Sequence, residues 1–242
     1  MQHVYIRVRF RMPPIAMAAV VCLAGTAFAG QDYVTRFDAF GGYAFLDSPR
    51  IGLFENGFAT QIGFRANTLI SAGFDYSITS GDATLTPNLL TNTLQQQLGA
   101  QLLALATEGV IPPGYSLEMP VHSRTQTFAA GPQLSFRHFR QLTLFLRPIF
   151  FGGIHEVATL KPRDQIAAGV AMQLAPSGHL SDNTWFLGAG GGFDLLLSRH
   201  LAVRTQTDVV WDHLFSNVLA NGRWTVRFSI GPAFNFGPNI KK

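Results

Sequence analysis

Apolar and polar residues alternate with a period of two through most of the chain, the mark of strands whose two faces meet different surroundings. Between residues 70 and 79, Ile70, Ala72, Phe74, Tyr76 and Ile78 alternate with Ser71, Gly73, Asp75, Ser77 and Thr79. Between 224 and 236, Trp224, Val226, Phe228, Ile230, Phe234 and Phe236 alternate with Thr225, Arg227, Ser229, Gly231 and Asn235. The stretches 185–195 and 203–211 follow the same rule, with Gly188, Gly190, Gly192 and Asp194 inward on the first and Arg204, Gln206, Asp208 and Val210 inward on the second. Weaker forms occupy 34–46, 54–65 and 122–137. An eighth, 142–156, is the least regular, because Phe145 and Phe151 share a face with Arg147.

In these segments the apolar face is continuous, and the other face carries single charges among glycines and serines. A soluble sandwich inverts that pattern, exposing its charges and burying its apolar faces against a second sheet. Strands of about ten residues with an apolar outer face and a small or polar inner face are those of a transmembrane barrel. The expected fold is therefore all-β: an eight-stranded antiparallel up-and-down transmembrane β-barrel.

The connections fit this reading. Ala66 to Thr68, His138 to Arg140 and Ser198 to His200 are tight links of about three residues, and the links after strands one, three, five and seven are longer. Short periplasmic turns alternate with long extracellular loops in such barrels, so an even strand count puts both termini in the periplasm. Trp185, Trp211 and Trp224 then fall at the extracellular ends on the lipid face, as an outer aromatic girdle. Phe64, Phe136 and Phe236 fall at the opposite rim.

The connection 81–120 is too long to be idle. Thr86 before Pro87 starts a helix there, Gly109 before Pro112 and Pro113 stops it, and Leu90, Leu94, Leu98, Leu102 and Leu105 form one stripe. The stripe is expected to pack as a structural lid over the barrel mouth. The alternative, a helix lying in the outer leaflet, lacks the basic polar face that accompanies such binding.

Charged residues make up 13% of the chain, against roughly 25% in typical globular domains. Residues 1–29 read as a signal peptide: Arg7, Arg9 and Arg11, then the apolar Ile15 to Leu23, then Ala27-Phe28-Ala29 as a cleavage site. Residues 30–242 are the barrel domain. Without the three leader arginines, 18 Lys and Arg against 14 Asp and Glu leave a net charge of only +1. A nucleic-acid partner loses its electrostatic basis. Cys22 lies in the leader, so the mature domain has neither a disulfide framework nor cysteine chemistry.

The runs TQTFAAGPQLSFRHF, LRPIFFGGIH, WFLGAGGGFDLLLSRHLAVRTQTD and RFSIGPAFNFG resemble the small outer-membrane β-barrel family related to the outer membrane protein A transmembrane domain, with versions in Acidobacteria-like genomes the nearest. The likeness covers most of the chain from strand four onward and, more loosely, the first three strands. It implies a fold and an outer-membrane location, not an activity. The sequence ends at Lys242 without the peptidoglycan-binding domain of outer membrane protein A, so cell-wall tethering is not implied.

Parity places Arg36, Asp38, Asp75, Arg147, Asp194, Arg204, Asp208 and Arg227 on the lumen face. An eight-stranded barrel is just wide enough to be filled by side chains, so these charges are expected to form an ion-pair network. A three-residue turn at Ser198 to His200 sets Asp194 against Arg204. The alternative is a narrow diffusion pore. A third possibility, a lipid-modifying hydrolase, rests on His213 and Ser216, whose spacing serves only if a turn begins there. The remaining mature histidines show no metal-ligand spacing, Gly190 to Gly192 lack the Lys-Ser/Thr of a phosphate loop, and no cofactor is implied. Outer-membrane lipid is the expected partner of a monomeric barrel. The loops are the expected contact region for a surface ligand that the residues do not name.

Overall fold

In the computed structural model, eight antiparallel strands pair each with the next, and the last with the first, in a closed barrel. The structure describes residues 30–112 and 114–241; the leader expected at 1–29 lies outside them. The strands are β1 (Thr35–Ser48), β2 (Leu53–Arg65), β3 (Ile70–Leu85), β4 (Met119–Phe136), β5 (Leu142–Leu160), β6 (His179–Leu196), β7 (Leu201–Asp212) and β8 (Arg223–Asn239). All eight segments seen in the alternation are strands. Several run further toward the long-loop end than the hydropathy pattern does, because there the outer face no longer has to be apolar.

Closure removes the exposed sheet edge and satisfies the backbone within the barrel, which hydrocarbon demands. Across the middle of the barrel the outer face is largely apolar: Phe58, Ile62, Phe74, Phe151, Leu187 and Phe234 are each more than half exposed. Among the described residues, no helix is long and apolar enough to cross a membrane. An exterior of this kind around a polar bore is the transmembrane arrangement. An even strand count with short turns at one end is the bacterial outer-membrane form of it.

The short turns lie where expected, although the link after β4 runs over five residues, 137–141, and not three. In the turn after β6 the amides of Leu197 and Ser198 both donate to Leu201 O, at 2.9 and 3.0 Å. The link after β1 departs from expectation, because it is only the tight turn from Pro49 to Gly52. β5 carries the main irregularity. Its pairing slips by one residue against β6 between Arg147 and Phe150, and against β4 between Leu146 and Phe151. Pro148, which has no N–H to give a ladder, sits at this bulge. The slip turns Phe145, Arg147 and Phe150 inward and Phe151 outward, which resolves the irregular face.

The β3–β4 loop begins with a single 3₁₀ turn, Pro87–Leu89, before α1 (Asn92–Thr107), which Thr91 precedes at the N-cap position without a side-chain capping bond. The helix thus starts five residues later than the Thr86-Pro87 signal implied. Gly109, with φ of +73°, ends it. A second helix, α2 (Gln165–Leu174), follows β5 and was not foreseen. Asp164 caps it by accepting from the Ala167 amide at 2.7 Å, which holds its carboxylate below the usual range.

Candidate functional site

The lumen is filled by three groups of charged side chains. Nearest the short turns, Arg204 Nε and Nη2 donate to the two oxygens of Asp194 at 2.7 and 2.9 Å. The same guanidinium reaches Asp38 at 2.9 Å, and Arg65 meets Asp38 at 3.0 Å. In the middle, Asp75 pairs with Arg147 at 2.6 Å and with Arg227 at 2.8 Å. Asp208 faces the same two cations at 3.5 and 2.6 Å, so acids and bases alternate around a ring. Toward the long loops, Arg223 bridges Glu156 and Asp212, and Ser123 donates to Glu156 at 2.9 Å. Glu55 beside them accepts from Thr79 at 2.6 Å and Thr125 at 2.9 Å.

Aromatic rings complete the filling. The Arg147 guanidinium lies 4.4 Å from the Phe150 ring centre, and that of Arg204 lies 5.3 Å from Phe145. These contacts give a buried cation a favourable face where hydrogen bonds run out. The Arg147 Nε has no hydrogen-bond partner among the described residues.

Seven of the eight residues assigned to the lumen by parity meet there. Arg36 does not. Pairing of β1 with β8 slips between Thr35 and Phe37, Thr35 takes the inward place, and the Arg36 guanidinium lies 5.8 Å over the outward Phe64 ring. Five further lumen charges, Glu55, Arg65, Glu156, Asp212 and Arg223, went unassigned. Four of them obey the parity of their strands and lie at strand ends beyond or at the limit of the apolar alternation; Glu156 requires the β5 bulge. Glycines of β6 make room in the wall for side chains of the neighbouring strands. A Cβ on Gly190 would lie 2.1 Å from Asp208 Oδ1, and one on Gly188 2.4 Å from the Phe150 ring.

Beyond the ion pairs the mouth becomes apolar. Leu90 and Leu98 from the first long loop, Val170 from α2, and Leu214 and Val218 from the last loop join Phe150, Ile154 and Phe186 of the wall in one core. Leu94 and Leu102 pack against it, and Leu105 is half-buried. Leu90 and Leu219 form an isolated antiparallel bridge, with Thr91 N to Val218 O at 2.9 Å and Ala220 N to Leu89 O at 3.0 Å on either side. Two loops are thereby clamped over the bore as one lid.

On the outer surface, Trp185 and Trp224 are exposed, and Trp211 packs on Trp224 with ring centres 4.8 Å apart. A turn does begin at His213, but its Nε2 accepts from Trp211 Nε1 at 3.2 Å. No hydrogen bond joins His213 to Ser216 among the described residues. No cluster of metal-ligating side chains occurs among them either.

No protein-family model and no curated protein matches the chain. Solved structures similar to it include Ail, the attachment invasion locus protein of Yersinia pestis, at 11% identity over 84% of this chain and 99% of that one, with a TM-score of 0.47. The outer membrane protein OprG of Pseudomonas aeruginosa is 10% identical over 86% and 99%, with a TM-score of 0.44. A major outer membrane protein of Thermus thermophilus is 13% identical over 82% and 99%, with a TM-score of 0.43. These are small bacterial outer-membrane barrels.

Proposed function

We propose that the protein is a monomeric, plugged outer-membrane barrel of the group related to the outer membrane protein A transmembrane domain, with a structural or surface-interacting role exercised at its long-loop end. The observation that carries this reading is that several of the lumen pairs join strands that are not neighbours. Arg147 of β5 holds Asp75 of β3, Arg204 of β7 holds Asp38 of β1, and Arg223 of β8 holds Glu156 of β5. Side chains tied across the bore cannot swing aside without leaving a charge unpaired in a low-dielectric interior. The lid and the adjoining α2 support the surface role, because they turn Leu103, Val110 and Met172 outward while their other side packs into the mouth.

Conductance across a planar bilayer by the refolded protein tests this. The expected trace is flat, with conducting steps appearing only when the middle ring is dismantled by Arg147→Ala together with Arg227→Ala. Stable ohmic steps from the unaltered protein would replace the plugged reading with the narrow diffusion pore.

A further inference from the structure

Charge is distributed unevenly along the barrel axis. At the short-turn end, outside the lumen, the described residues include Arg36, Arg137, Arg140, Arg199 and Lys241 against the acid Asp32. The long-loop end is mildly acidic, and the lumen charges are largely paired. A polar concavity of about 440 Å³ opens in the short-turn mouth, and Arg137, Arg140 and Arg199 all line it.

Its two acids are already engaged. Asp194 is held at both oxygens by Arg204, and Asp32 faces Lys241 at 3.5 Å. Among the described residues, no carboxylate lies within 4.0 Å of Arg137, Arg140 or Arg199. Arg137 is half-buried and donates to the Thr68 carbonyl at 3.1 Å. Burial and the neighbouring Arg65 pull its guanidinium down to about 10. Arg199 leans over the Tyr33 ring at 5.8 Å. In the lumen, by contrast, every arginine has an acid within reach.

Three arginines line one concavity, and among the described residues none of them has a carboxylate within ion-pair distance. We propose that the short-turn mouth is a binding site for a phosphate-type oxyanion, gripped by Arg137, Arg140 and Arg199. The planar guanidinium fork matches phosphate oxygens two at a time, and the anion carries enough charge to offset more than one cation. The same chemistry has two sources at this end of the barrel: the headgroup of a phospholipid in the adjoining leaflet, or a soluble phosphate. This site goes beyond the plugged-barrel reading and does not depend on whether the lumen conducts.

The test uses the mature barrel in uncharged maltoside micelles at fixed ionic strength, titrated calorimetrically with inorganic phosphate and, separately, with dihexanoylphosphatidylglycerol. Saturable binding of at least one probe is expected, weakened at least tenfold in Arg137→Gln/Arg140→Gln/Arg199→Gln and unchanged in Arg124→Gln/Arg163→Gln at the opposite end. The single variant Arg199→Gln, at an exposed side chain, gives the same direction of change if the triple variant fails to refold. Tighter binding of the lipid assigns the site to a headgroup, and tighter binding of inorganic phosphate to a soluble ligand. No saturable binding of either probe, or equal weakening by the substitutions at the opposite end, overturns the proposal.

Discussion

Arg204 is the side chain on which the lower lumen turns, because it serves two acids at once. It chelates Asp194 and also reaches Asp38, which has Arg65 as a second partner. Removing one member of a buried pair costs roughly 3–5 kcal/mol by stranding the other. The two single changes are therefore unequal. Asp194→Asn leaves Arg204 with Asp38, whereas Arg204→Met leaves Asp194 with no cation within 4.0 Å among the described residues. Urea unfolding is expected to show the larger loss for Arg204→Met. Adding Asp194→Asn to it should recover part of that loss, since the neutral amide no longer needs a counter-charge. Strictly additive losses would mean that the two side chains do not interact. The Asp194 and Arg204 pairing follows from two facts legible in the residues, strand parity and a three-residue turn. What parity could not supply was Asp38 as the second acid on Arg204, because that contact crosses the bore between strands that are not neighbours.

Among the elements, β5 shows how an apparent flaw in a pattern encodes structure. Phe145 and Arg147 on one face with Phe151 beside them look inconsistent only if the strand is regular. One extra residue relative to both neighbouring strands, at Pro148-Ile149, gives each half its proper face. Deleting Ile149 should therefore remove the bulge and leave Arg147 and Phe150 both inward, so the barrel should still refold with heat-modifiable gel mobility. Deleting Phe128 from β4, whose pairing with β3 is unbroken, should abolish refolding, because half of that strand must then reverse its faces. Equal tolerance of the two deletions would show that β5 is not specifically bulged. The conflict on β5 was visible in the sequence, and a bulge was its physical resolution. The capped helix α2 was equally legible, from Asp164 followed by Ile166, Val170 and Leu174, yet strand reading passes over a loop of this length. The late start of α1 was not legible: Leu90 leaves the helical conformation to pair with Leu219, a contact between distant loops.

At the scale of the whole molecule, exposed apolar residues fall into two sets that accessibility alone does not distinguish. Phe58, at the middle of β2, is 51% exposed on the barrel wall, and Leu103, on α1, is 67% exposed on the lid. The wall residues belong to a continuous apolar band, flanked by Trp185, Trp211 and Trp224 toward one end and by Phe64, Phe136 and Phe236 toward the other. The lid lies beyond that band, over the mouth. This division was readable from alternation for the wall. It was not readable for the lid, whose inner side is defined by a core shared among three loops. A cation on the lipid face near the midplane costs about 2–4 kcal/mol, and the cost falls to about 0–1 near the interfaces. Phe58→Arg is therefore expected to lower the unfolding free energy in lipid vesicles by about that larger amount. Leu103→Arg, although it changes a more exposed side chain, should lie within about 0.5 kcal/mol of the parent protein, as surface substitutions in water usually do. Phe58→Gln separates loss of the ring from insertion of charge: the arginine variant should be clearly less stable than the glutamine variant. Equal losses at Phe58 and Leu103 would mean that the two surfaces meet the same solvent, and the wall would then not be the membrane-facing one.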